Sequence, residues 1–122
     1  MIRAEIKFII CWDDPKGDLA AYRPDDYENF CCLVQLYIGP HGGDGFEEFQ
    51  LSICTPKWWV ENHPDEYIIG APKNTLVVLE YDYLRLTAWL HRYVERCTGE
   101  SWQEVARRLC LISSWEFEDY HP

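Results

Sequence analysis

No stretch of this sequence is long and apolar enough to cross a membrane. The longest apolar run near its start, Phe8 to Trp12, is too short for the core of a secretory signal, so a cytoplasmic location is expected and membrane association is not. Basic residues are scarce: 11 Lys and Arg stand against 21 Asp and Glu, a formal net charge of −10. A phosphate backbone is repelled by that average field, which argues against direct nucleic-acid binding. The spacing of a metal site is also missing. The six cysteines contain no C-x-x-C, and Cys31 and Cys32, adjacent in a strand, point to opposite faces and do not suit one tetrahedral site. No metal and no cofactor is expected. Cys11, Cys31, Cys32 and Cys54 sit in apolar strand-like runs, and Cys97 and Cys110 at helix-core spacing. They read as small buried thiols in a reducing compartment.

What is present is a single domain's worth of chain. With 122 residues, 48% of them hydrophobic and 26% charged, it supports a core and excludes a disordered chain. Aromatics make up 16%, including six Trp and eight Tyr. That is more than a core of this size easily hides, and surplus Trp and Tyr favour protein interfaces.

Apolar residues alternate from the start. Ile2, Ala4, Ile6, Phe8, Ile10 and Trp12 fall on one face of a first strand, opposite Arg3, Glu5 and Lys7. Asp13 to Asn29, with Pro15, Gly17 and Pro24, reads as a long loop, a kind of segment that often carries function. Phe30 to Ile38 forms a second strand with Cys32, Val34, Leu36 and Ile38 on one face. The glycine-rich turn from Gly39 to Gly45 follows, then a third strand from Phe46 to Cys54 with Phe49, Leu51 and Ile53 inward. Thr55-Pro56 opens a short helix that runs to about Asn62. Thr75 to Tyr81 reads as a fourth strand. Asp82 caps a helix that runs to Cys97 and ends at Gly99. Ser101-Trp102-Gln103-Glu104 has the capping-box spacing at the start of a third helix. The expectation is an α+β fold: an antiparallel four-stranded sheet with about three helices packed on one face, the other face at least partly open.

Catalytic patterns are weak. A nucleophile elbow or papain-like pattern is missing, and His91 and Cys97, six apart, do not share a helix face. The Gly39–Gly45 loop precedes a strand and not a helix, so it is a hairpin turn and not a phosphate cradle. The paired carboxylates Asp13/Asp14, Asp25/Asp26, Glu47/Glu48 and Glu116/Glu118 read as solvated acidic surface, which can equally dock a partner. Arg85, Arg92, Arg96, Arg107 and Arg108 are interleaved with Glu95 and Glu104 and read as a salt-bridged solvent face.

Several ordered phrases together are similar to a known family. They are Tyr22 to Phe30 (YRPDDYENF), Ile38-Gly39-Pro40 with Gly42 and Gly45, and Ile53-Cys54-Thr55-Pro56-Lys57-Trp58. Further on come Glu80-Tyr81-Asp82-Tyr83, Ser101 to Ala106 (SWQEVA) and Trp115 to Tyr120 (WEFEDY). The set spans nearly the whole chain and resembles the immunity protein 8 family of bacterial polymorphic toxin systems. Trp59, Val60 to Lys73 and Cys31-Cys32 are less like the family. The resemblance implies a cytosolic antidote that binds and neutralises a cognate toxin domain, and it implies no catalytic residue.

An acidic, aromatic-rich domain suits that role. A nuclease toxin would offer a basic substrate cleft for an acidic partner to occupy or shield. The residues expected to steer the partner are Asp13, Asp14, Asp18, Asp25, Asp26, Glu116, Glu118 and Asp119. The expected anchors are Trp58, Trp59, Trp115 and Tyr120, with core closure the equal alternative for Trp115. The rival functions are an adaptor for a non-toxin partner and a small enzyme with a carboxylate site; an oligomeric state is not encoded in any of these features.

Overall fold

A bulge in the first strand decides which side chains the sheet buries. The computed structural model describes residues 1–67 and 72–117. Strand β1 (Ile2–Cys11) pairs antiparallel with β2 (Cys31–Pro40), and their register shifts between Ile6 and Phe8. One extra residue, Lys7, is accommodated there, and it reverses the side-chain alternation beyond it. Before the bulge the even residues face the core, with Ala4 buried and Ile2 and Ile6 packed against it. After it the odd ones do: Ile9 lies opposite Leu36 and Cys11 opposite Val34. The unbroken alternation expected from Ile2 to Trp12 is thus corrected. Phe8, Ile10 and Trp12 lie on the opposite face from Ile2, Ala4 and Ile6.

Strand β2 pairs antiparallel with β3 (Glu47–Cys54). Val34, Leu36, Ile38, Phe49, Leu51 and Ile53 are buried on the shared inner face, as the alternation requires. Thr55 caps α1 (Pro56–Asn62), its Oγ1 accepting from the Trp58 N–H. The same buried hydroxyl oxygen accepts from the Phe30 N–H at 3.1 Å, tying the helix start to the strand entry. The chain then returns as β4 (Thr75–Val77), parallel to β3. Helix α2 (Tyr83–Arg96) is followed by the two-residue β5 (Thr98–Gly99), α3 (Trp102–Leu109) and the two-residue β6 (Ser114–Trp115).

Among the described residues the sheet therefore has six strands, ordered β4-β3-β2-β1-β5, with β6 pairing β3. An antiparallel four-stranded sheet is overturned on two counts. The connection from β3 passes through α1, and such a crossover lets β4 lie parallel. β5 and β6 are two residues each, too short to show a period. The fourth strand also ends at Val77 instead of Tyr81. Among the described residues there are three helices, and the α+β class stands. Leu86, Leu90 and Val94 of α2 and Val105, Ala106 and Leu109 of α3 complete the core, while α1 contributes no buried residue.

Gly99 does not end α2; Cys97 caps it, and Gly99 pairs with Ile2 in β5. Ser101 Oγ accepts from the Glu104 N–H at 3.2 Å, and Glu104 reaches back to the Glu100 N–H at 3.1 Å. The reciprocal cap therefore closes one residue earlier than the usual box. Ser101→Ala should lower the urea midpoint by the equivalent of about 1 kcal/mol at unchanged slope. An unchanged midpoint would mean that the helix start is held by Glu104 alone.

Candidate protein-binding surfaces

The loop after β1 is acidic because its carboxylates build its turns. Asp14 Oδ2 accepts from the N–H groups of Lys16 and Asp18, each at 3.0 Å. Asp18 accepts from Ala20 N–H and Asp26 from Glu28 N–H, both at 2.9 Å. Asp13 reaches across to the N–H of Leu33 at 2.7 Å. These are side-chain mimics of backbone turns, the reason Asp is favoured in such loops. Asp13, Asp18, Asp25 and Asp26 are nonetheless exposed and Asp14 half-buried, so their charge reaches solvent. Tyr81 fastens the loop from below: its hydroxyl donates to the Leu19 carbonyl at 2.9 Å, and its ring contacts Tyr22, Tyr27 and Phe30.

Helix α1 stands beside this loop. Asn29 Nδ2 donates to Glu61 at 2.7 Å, and Lys57 Nζ lies 3.7 Å from Asp26. The end of the loop that carries Asp26 is thereby held against α1. Trp59 stacks on His63 at 4.1 Å and donates to Glu66 at 3.0 Å; Trp58 meets both rings edge-on. Both indoles are half-buried.

Two other expected residues lie elsewhere. Trp115 lies flat on Phe49, and its indole N–H donates to Glu47 at 3.0 Å. It is partly buried against the core. Glu47 also accepts from the Trp102 indole, so one carboxylate serves both rings. Glu116 accepts from the Glu48 N–H at the β3 edge, away from the loop. Glu118, Asp119 and Tyr120 fall outside the described residues.

The bulge creates a surface that the expected residues omit. Residues directly opposite share a face, so Phe8 and Tyr37, and Ile10 and Gln35, stand together on the side of the sheet away from α2 and α3. Phe8, Tyr37 and Phe46 meet edge-to-face at 5.4–6.0 Å. Trp12 donates to Gln35 Oε1 at 3.2 Å. Phe8 and Trp12 are 56% and 57% exposed, and Phe46 and Leu33 are exposed too. A signal for this was in the sequence: Phe8-Ile9-Ile10-Cys11-Trp12 is apolar at both parities, so one of its faces had to point outward.

A second apolar feature is a groove of ≈ 620 Å³ between the segment from Leu76 to Glu80 and α2. Leu79 and Leu84 are 84% and 75% exposed beside it. Its acids are engaged: Asp82 caps α2 through the Arg85 N–H, and Glu80 lies 3.8 Å from the Arg85 guanidinium.

The titratable groups divide in two. Hydrogen bonds from Lys7 and then His41 hold the Glu5 carboxyl below its ordinary value. Burial pushes the thiols of Cys11, Cys32, Cys54 and Cys97 up, and that of Cys31 up to about 11. All six cysteines carry free thiols. Among the described residues no group of three or more His, Cys, Asp or Glu is placed to hold a metal ion. At pH 8 roughly one Cys31 thiol in a thousand is ionised, so alkylation of the folded protein should be slow and should accelerate on denaturation, when all six react. The raised folded values also set a sign. Their stabilising contribution is complete below the unfolded thiol value and is lost as pH rises from there through the folded values, so urea midpoints should fall above about pH 8.5. Rapid native alkylation of five or six thiols at pH 8 would contradict this packing.

A family model described as immunity protein 8 matches residues 4–120, nearly the whole chain. No curated protein and no solved structure matches.

Proposed function

Because this chain belongs to the immunity protein 8 family, we propose that it binds a cognate bacterial toxin domain and neutralises it in the cytoplasm of the producing cell. The family match over residues 4–120 carries this reading. The net charge of −10 supports a basic partner surface, and a toxin acting on nucleic acid offers one in its substrate cleft. In this reading the chain works by occupancy and performs no chemistry of its own. Asp13, Asp14, Asp18, Asp25 and Asp26 steer the encounter, with Trp58 and Trp59 on α1 next to the Asp26 end of that loop. The direct test is co-expression with any toxin domain that the gene's neighbourhood encodes. Growth should be rescued and the two proteins should co-purify; a toxin that stays lethal and is not retained sinks the proposal.

The steering role has its own test. Four of the five aspartates accept backbone hydrogen bonds, so charge reversal would also disturb the loop. Asp→Asn keeps an acceptor oxygen and removes the charge. The fivefold Asn variant should associate about tenfold more slowly at low salt, with dissociation little changed. Equal association rates at low salt would remove the loop from the encounter surface.

A further inference from the structure

On the premise that the partner is a toxin domain, we propose that the face of the sheet away from α2 and α3 is its anchoring surface, with Phe8, Trp12 and Phe46 seating a basic, arginine-bearing protein patch. A half-exposed antiparallel sheet ordinarily presents polar side chains to water. β3 does so here with Glu48, Gln50 and Ser52. β1 and β2 do not. The bulge at Lys7 turns Phe8, Ile10 and Trp12 outward to join Leu33 and Tyr37, and exposed Phe46 leans onto Phe8 and Tyr37. A bulge costs ladder pairing and commonly serves to re-aim side chains. What this one re-aims are Phe8 and Trp12, which join Tyr37 and Phe46 in an aromatic-rich face, the composition that binding hot spots favour.

The patch is already set for binding. Phe8, Tyr37 and Phe46 fix one another edge-to-face, and Gln35 holds the Trp12 indole. Little side-chain freedom is left to lose on docking. Its surroundings select the partner's charge. Asp13 adjoins Trp12 and is held by the Leu33 N–H; Glu48 faces Tyr37 across the strands; exposed Asp44 lies in the turn before Phe46. Two neighbouring cations, Lys7 and His41, are spent internally, while exposed Arg3 stands beyond Glu5 on the stretch of β1 before the bulge. Lys7 binds the Glu5 carboxylate and the carbonyls of Pro40 and Gly43, and His41 binds Glu5. Aromatic faces inside an acidic rim suit arginine, whose guanidinium stacks on rings while pairing with carboxylates. The same rim repels anionic lipid and nucleic acid, and two such rims repel each other, which disfavours a second copy.

The test uses the full chain and the toxin domain identified by the co-expression test, with binding followed by surface plasmon resonance. Phe8→Ala, Trp12→Ala and Phe46→Ala remove exposed rings, and folding is checked by circular dichroism and urea midpoint. Trp12→Ala and Phe8→Ala should each weaken binding about thirtyfold or more, mainly through faster dissociation. Leu79→Ala and Leu84→Ala in the groove beside α2 should stay within about threefold. Oxidative footprinting of the unmutated complex needs no variant, and should show Phe8, Trp12, Tyr37 and Phe46 protected. Sheet-face variants that bind like wild type, or a complex in which those rings oxidise freely while groove or α1 residues are protected, would overturn the assignment and leave the toxin reading standing. Failure of the unmutated protein to bind the toxin would overturn the toxin reading itself, and the anchoring surface with it.

Discussion

Tyr81→Ala should cost about 3–5 kcal/mol of unfolding free energy, the usual range for truncating a buried aromatic side chain. Tyr81 is buried, and its ring is the meeting point of Tyr22, Tyr27 and Phe30. Its hydroxyl holds the Leu19 carbonyl. Removing the side chain therefore leaves a cavity beneath the acidic loop and releases that carbonyl together. The backbone bond from Tyr81 N–H to the Tyr27 carbonyl at 2.7 Å remains, so the chain keeps its path and the loss is one of packing. Tyr81→Phe separates the two contributions: it keeps the ring contacts and should cost about 1 kcal/mol. Urea unfolding gives both values, and amide exchange should show residues 13–29 opening faster in the alanine variant. A cost below about 1 kcal/mol for Tyr81→Ala would mean that the loop is held by its own turns and not by this ring.

Gly39→Ala is the second large effect, about 3 kcal/mol, at the upper end of overpacking costs. A Cβ at Gly39 would stand 1.8 Å from the Gly45 carbonyl oxygen and 3.1 Å from the Phe46 Cα. Those are backbone atoms, so no rotamer change relieves the clash; the turn from 41 to 46 must lift. Gly39 lies opposite Glu5 in the β1–β2 register, on the face that carries the Phe8, Tyr37 and Phe46 cluster. Lifting the turn therefore also lifts Phe46 away from Phe8 and Tyr37, and ring chemical shifts in that cluster should change. Gly45→Ala is the control, because a Cβ there meets nothing within 4 Å. It should alter stability by no more than about 0.5 kcal/mol. Equal midpoints for the two variants would show that the turn does not fold back over Gly39.

The sequence by itself determined the local rules of this protein. The acceptors at Thr55, Asp82 and Ser101 set the three helix starts, because a cap needs only one side chain and a backbone N–H two or three residues on. The inner faces of β2 and β3 followed from an uninterrupted period of two. The net charge and the ordered family phrases pointed to a protein partner before any geometry. Tertiary structure decided what depends on pairing between distant segments. The bulge at Lys7 exists only in the register against β2, and a count along β1 alone does not reveal where alternation reverses. That reversal turned Phe8 and Trp12 from expected core residues into exposed ones. β5 and β6 owe their two-residue pairings to the segments they meet, and the parallel return of β4 depends on where the α1 crossover lands. The acids of the long loop were legible as a cluster. Their work as turn-builders was not, because each bond depends on where the loop's own backbone N–H groups come to rest once Tyr81 and the strands fix its ends.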